Sequence, residues 1–114
     1  VIKIQNSKQY DLEERTYKFA KKCREFVDKL PKTIRNIEDG KQLIRASGSQ
    51  AANYIEANEA LSKKDFVHRI KICRKEAKES KLWLRLCDNK GNKELIQEAT
   101  ELTKIFGSIL EKCK

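Results

Sequence analysis

From Phe66 to Cys87 the chain holds one spacing without a break. Phe66, Ile70, Cys73, Ala77, Ser80, Leu84 and Cys87 follow one another at alternating intervals of four and three residues. That alternation keeps side chains on one face of an α-helix, whereas in a strand it would scatter them over both faces. About six turns of helix therefore present one narrow stripe to be buried. A lone amphipathic helix has nothing to bury it against, so the rest of the chain must supply partners.

The rest of the sequence carries the same period. Leu12, Phe19, Cys23, Phe26 and Leu30 recur at helical spacing before Pro31. The stretch "DLEE" starts this first helix, with Asp11 as cap and Glu14 completing an approximate capping box. Residues 1–10 show no clear period and read as an extended lead-in; residues 11–114 read as the domain. Residues 31–39 form the first connection, and a second helix runs from about Lys41 to about Leu61. "SKKD", Ser62–Asp65, is a second capping box, so the third helix starts at once and continues to about Asp88. "NKGN", Asn89–Asn92, is a turn with Asn92 as cap of a fourth helix. That helix turns Leu95, Ala99, Leu102, Phe106, Ile109 and Cys113 inward. The chain of 114 residues has one Pro, four Gly and no alternating β-branched runs. The predicted fold is all-α: an antiparallel up-down-up-down four-helix bundle. Phe19, Phe26, Ile70, Leu84, Phe106 and Ile109 are expected in its core.

The second helix is patterned differently. Its middle reads Ala-Ser-Gly-Ser-Gln-Ala-Ala-Asn, residues 46–53, and a helical Gly48 costs about 1 kcal/mol relative to alanine. At 100° per residue, Leu43, Ile44, Ser47, Ala51, Tyr54, Ile55 and Leu61 form a thin core side. Arg45, Ser49, Ala52, Asn53, Glu56 and Ala60 form a second, small and hydrogen-bonding side. The third helix also has a mixed stripe, Ile72, Glu76, Glu79, Trp83 and Leu86. A single bundle covers only one face of each helix well. Arg45, Ser49, Asn53 and Glu56, with Ile72, Glu76, Glu79 and Trp83, are therefore expected at an interface with another subunit of a homo-oligomer.

Charge narrows the function classes. The chain has 26 Lys and Arg against 17 Asp and Glu, a formal net charge of +9. Such a balance favours nucleic acid first and an anionic membrane second; the plain alternative is a lysine-rich solvated surface. Position favours nucleic acid, RNA or DNA. Lys71, Arg74, Lys75, Lys78, Lys81 and Arg85 share one face of the third helix, spanning about 21 Å at 1.5 Å per residue. Phosphate contacts of that kind give affinity without sequence choice. No apolar run reaches membrane-spanning length and no secretory signal is present, so a cytoplasmic protein without a membrane role is expected. Cys23, Cys73, Cys87 and Cys113 form no CxxC pair and read as buried thiols in a reducing compartment.

Catalysis finds little footing. His68 is the single histidine. Asp65 and His68 stand at i, i+3 as in di-metal bundles, but those need the motif on two helices. Glu56, Glu59, Glu76 and Glu79 lie near Arg45 and many lysines, so ion pairing is their simpler use. No phosphate-cradling Gly-rich loop and no nucleophile motif is present. A non-enzyme without cofactor, metal or catalytic residues is expected. The rival to nucleic-acid binding is an oligomeric scaffold for protein partners, its basic helices serving solubility.

Ser49-Gln50-Ala51-Ala52-Asn53-Tyr54-Ile55-Glu56 resembles the S-x-x-A-N-x-x-E signature of the small four-helix bundle proteins encoded in intervening sequences of bacterial large-subunit ribosomal RNA genes. "ANEALSKKDF" and "CRKEAKESKLWLRL", Cys73–Leu86, extend the likeness over about residues 10–113. They look like a branch in which Lys75-Glu76 replaces the usual Gly-Ser pair of helix 3, with Glu79 matching that helix's glutamate. The resemblance implies an up-down bundle and a homopentamer. It also implies similarity to the accessory protein of diversity-generating retroelements, a basic pentameric barrel working with a reverse transcriptase and nucleic acid. A reverse transcriptase or another protein partner is thus implied beside the nucleic acid.

Overall fold

The computed structural model of the protein describes residues 7–87 and 90–114. Its helices are α1 (Ser7–Asp28), α2 (Ile34–Asn58), α3 (Lys63–Leu86) and α4 (Lys93–Lys112), with a single 3-10 turn, Lys90–Asn92, leading into α4. They form an antiparallel up-down-up-down bundle of 45 × 22 × 19 Å. Cross-links fix the register. Gln50 Nε2 of α2 donates to the Thr16 carbonyl of α1 at 3.0 Å. Arg69 Nη1 of α3 donates to Asn53 Oδ1 of α2 at 3.0 Å. Arg15 of α1 reaches Glu98 of α4 at 2.7 Å. α2 and α3 share the most extensive packing, followed by α3 with α4 and α1 with α2, while α1 and α4 share much less.

α3 follows the sequence reading closely. Ser62 is the N-cap and its Oγ accepts from the Asp65 N–H at 3.0 Å. Phe66, Ile70, Cys73, Ala77, Ser80, Leu84 and Cys87 are all buried. Around them stand Leu12, Phe19, Cys23, Phe26 and Leu30 from α1 and its exit, and Leu95, Ala99, Leu102 and Phe106 from α4. Tyr54 of α2 meets Phe106 ring to ring, with centroids 6.2 Å apart and planes tilted by 44°. Ile109 and Cys113 pack against this core half-buried. Burial pushes the Cys23 and Cys73 thiols up to about 12, so they act as small apolar core groups.

Four boundaries differ from the expectation. α1 starts at Ser7, which places Asp11 inside the helix and not at its cap; residues 1–6 of the expected lead-in lie outside the described residues. α2 starts at Ile34, seven residues before Lys41, because Thr33 caps it: the Thr33 Oγ1 accepts from the Asn36 N–H at 3.1 Å. The first connection is therefore short, and Lys41 lies inside α2. α2 ends at Asn58 and α3 at Leu86. Asn92 stands at the N-cap position but does not cap α4; its Nδ2 donates to the Leu84 carbonyl at 2.8 Å, serving the C-terminal end of α3. Asn89, the first residue of the expected turn, lies outside the described residues.

The small and polar stretch of α2 is explained by what it packs against. Its buried residues are Asn36, Gly40, Leu43, Ala46, Ser47, Gln50, Tyr54 and Ala57. Ile55 and Leu61, expected in the core, are instead 49% and 90% exposed. Ala60, expected on the outer side, is buried beyond the helix end. A Cβ at Gly40 would stand 2.9 Å from Val27 Cγ1, so glycine sets how closely α2 approaches α1. At Gly48 the Arg24 guanidinium lies across the helix, 3.1 Å from the Cβ position.

Val27 is β-branched and has little freedom to swing aside. Gly40→Ala is therefore expected to destabilise the bundle by about 1–3 kcal/mol through overpacking, although alanine is the better helix former. Val27→Ala in the same chain should recover most of that loss. Urea unfolding of the two single variants and the double variant measures the coupling; strictly additive effects would disprove the close approach.

Candidate nucleic-acid interface

Each residue of the basic stripe projects from α3 away from the core. Lys71, Arg74, Lys75, Lys78 and Arg85 are exposed and Lys81 is half-buried. Lys71, Arg74, Lys75 and Lys78 line an open groove of ≈ 490 Å³ whose other wall is α4, represented by Leu110. Arg74 Nε stands 3.7 Å from where a Cβ would be on Gly107 of α4, so the guanidinium rests on the bare backbone of that helix.

Four of the acids are engaged by two arginines. Arg45 Nη1 donates to Glu76 Oε2 at 3.2 Å and its Nη2 to Glu79 Oε1 at 3.1 Å, tying α2 to α3. Glu76 is buried, with a side chain only 6% exposed, so this carboxylate needs its cation. On the opposite side Arg15 grips Glu98 with two hydrogen bonds, at 2.7 and 2.8 Å, and Glu101 with a third at 2.8 Å. These bonds hold the Arg15 guanidinium more firmly protonated than usual, most of all the bond to Glu98. The Gln97 amide, and then Arg15, hold the Glu101 carboxyl below its ordinary range. Among the described residues no ion pair engages the six cations of the stripe. Glu79 does line the basic groove, which the helical-wheel reading placed on another face, but Arg45 draws its charge toward α2.

A larger cleft of ≈ 910 Å³ opens between α1 and α4. There Lys18, Lys22 and Lys29 face Glu14, Glu25, Glu94 and Glu98, so the signs cancel and no single-sign field results. In the α3–α4 groove four cations stand beside a single carboxylate, Glu79, which Arg45 engages.

The residues expected at a subunit interface fall mostly into the seam between α2 and α3. Arg45, Glu76 and Glu79 form the ion-pair group already described. Asn53 Nδ2 donates to the Ser49 carbonyl at 2.9 Å, while its Oδ1 accepts from Arg69. Ile72 and Trp83 are half-buried, Trp83 packing against the core, and Glu56 is exposed. Arg69 was missed as the partner of Asn53, because a pairing sixteen residues away leaves no periodic signal. His68 is exposed. Among the described residues no three His, Cys, Asp or Glu side chains converge as metal ligands, and no helix is long and apolar enough to cross a membrane.

Comparison with curated proteins gives no match. Among solved structures the chain is similar to a protein of unknown function from the S23 ribosomal protein family of Bacteroides thetaiotaomicron VPI-5482, with a TM-score of 0.81 and 26% sequence identity, covering 91% of this chain and 98% of that one. The sequence profile of the 23S rRNA-intervening sequence proteins matches residues 8–111, which takes in all four helices and the Ser49–Glu56 signature. By that match across nearly its whole length, the chain belongs to the 23S rRNA-intervening sequence protein family.

Proposed function

We propose that the protein is a non-enzymatic, cytoplasmic nucleic-acid-binding bundle that works as a homo-oligomer, holding RNA or DNA by its phosphate backbone without strong sequence choice. One observation carries this reading. Six cations of α3 keep no ion pair among the described residues, while Glu76, Glu79, Glu98 and Glu101 are engaged by arginines at the two other seams. A merely solvated surface has no reason to sort its charges in this way. No base-reading element accompanies the stripe, so contacts to phosphates position the ligand and do not select a sequence. Repetition of the stripe in an oligomer would add weak contacts together. The test is a titration of the parent with mixed-sequence nucleic acid at two salt concentrations. Binding that weakens steeply with salt is expected, and no binding at low salt would overturn the reading.

Exposed apolar side chains favour association with a further chain. Ile34 is 83% exposed, and Ile37, Ile55, Leu82 and Leu86 are each more than 40% exposed. Because α3 occupies much of the Ser49–Asn53 side, the outward row of α2, with Ile37, Ala52 and Ile55, is the better candidate for contact between copies; Glu56 borders it. The homopentamer implied by the resemblance sets the expected mass. Light scattering at micromolar concentration should give a multiple of the 13.3 kDa chain, and Ile55→Lys should reduce it. Monomer mass for the parent would rule the oligomer out. The same apolar residues support the second reading, a scaffold for a protein partner such as a reverse transcriptase, which takes first place if the parent binds no nucleic acid.

A further inference from the structure

We propose that the ligand of the basic groove is a duplex, held by one of its two phosphate ridges laid along the seam between α3 and α4. This rests on the nucleic-acid reading above and fixes the form and placement of the ligand.

Three observations point to a single ridge in the seam. The groove carries four cations on the α3 wall, where the one lining carboxylate, Glu79, is engaged by Arg45, while Leu110 forms the α4 wall beside the bare backbone of Gly107. One wall of positive charge and one neutral wall suit a single line of phosphates. Arg74 rests over Gly107, which puts its charge inside the seam and not on the outer crest of α3. The row is also rigid, because one helix carries it; the four cations that line the groove, from Lys71 to Lys78, span about 10 Å of that helix at 1.5 Å per residue.

The same groove offers little to a single strand. Single-strand sites combine a basic track with aromatic platforms on which bases stack. No aromatic side chain lines this groove. Trp83 packs toward the core, and the exposed aromatic among the described residues, Tyr17, belongs to α1. Affinity then comes from counterion release alone, which is larger per phosphate for a duplex than for a single strand. A flexible strand would also lose conformational freedom on being aligned along a rigid row, whereas the phosphates of a duplex are already ordered before binding.

The test uses the full chain, a mixed-sequence duplex and an oligothymidylate of the same length, at two salt concentrations. The duplex should bind roughly tenfold more tightly at low salt, with the steeper salt slope. Gly107→Glu places an acid in the seam beside Arg74 and should weaken duplex binding by roughly tenfold. Tyr17→Glu makes the same change of net charge on α1 and should have a much smaller effect than Gly107→Glu. Equal losses from Gly107→Glu and Tyr17→Glu would overturn the seam placement. Tighter binding of the oligothymidylate would overturn the duplex assignment. A parent that binds neither ligand would overturn the nucleic-acid reading itself.

Discussion

Phe106→Ala should lower the unfolding free energy by roughly 3–5 kcal/mol, the range for removing a fully buried phenylalanine. Phe106 has no exposed surface and lies against Tyr54, itself 1% exposed, so the variant forfeits the ring pairing between α4 and α2 along with the transfer term. Relaxation cannot easily fill the space, because Phe106 belongs to a close-packed core to which all four helices contribute. A domain of this size is held together by about 5–15 kcal/mol in total, so the variant should unfold at a far lower urea concentration. Leu84→Ala, at another fully buried site, should cost roughly 2–5 kcal/mol. Tyr17→Ala, at a position 53% exposed, should change stability by less than about 0.5 kcal/mol. A Phe106→Ala midpoint as close to the parent's as that of Tyr17→Ala would contradict the core described here.

α3 was legible in the sequence because its burial is uniform: one apolar stripe, one cap at Ser62, and no polar residue in the stripe larger than Ser80. The Ser80 hydroxyl needs no distant partner, since it donates to the Glu76 carbonyl one turn back at 2.8 Å. α2 was misread for the opposite reason. Its buried face is small and polar, and hydrogen bonds make that burial tolerable: Asn36 Nδ2 donates to the Pro31 carbonyl at 3.0 Å, and Gln50 reaches both Thr16 and Ser47. Hydropathy therefore pointed to Ile55 and Leu61, whose apolar surface the bundle leaves outside. The signal that was available, a Thr33 cap soon after Pro31, marks the true start of α2. On the basic stripe, periodicity on one helix was enough to find all six cations, four of which line the groove. It could not find Gly107 and Leu110, which belong to the groove only because α4 folds back along α3. The ion pairing of Glu76 beside Arg45 was legible in the sequence, and Arg45, thirty-one residues away, does engage it and so removes that acid from competition with the stripe.

Replacing Lys71, Lys75 and Lys78 together by alanine should cut nucleic-acid affinity at low salt by on the order of a hundredfold. The salt slope should fall by about 2 to 3, at roughly 0.7–0.9 for each phosphate no longer neutralised. The slope is the more telling readout. A loss of affinity with an unchanged slope would mean that fewer molecules are competent, as in a partly unfolded variant. A fall in both means that the lysines neutralise phosphates directly. Folding is expected to survive, because these side chains are exposed, alanine is a strong helix former and no ion pair holds any of the three among the described residues. Circular dichroism and solution mass should therefore match the parent. An equal number of lysines removed from α1 and its exit, at Lys18, Lys22 and Lys29, makes the same change in net charge at exposed positions of the cleft that Glu14, Glu25 and Glu98 also line. That variant should lose much less affinity, because its field is already opposed by neighbouring carboxylates. If the two triple variants lose affinity equally and their slopes fall together, net charge alone governs binding and the α3 groove has no special part in it. If the α3 variant alone loses slope, the sorting of acids to Arg45 and Arg15 has a function: it leaves one seam of the bundle positive.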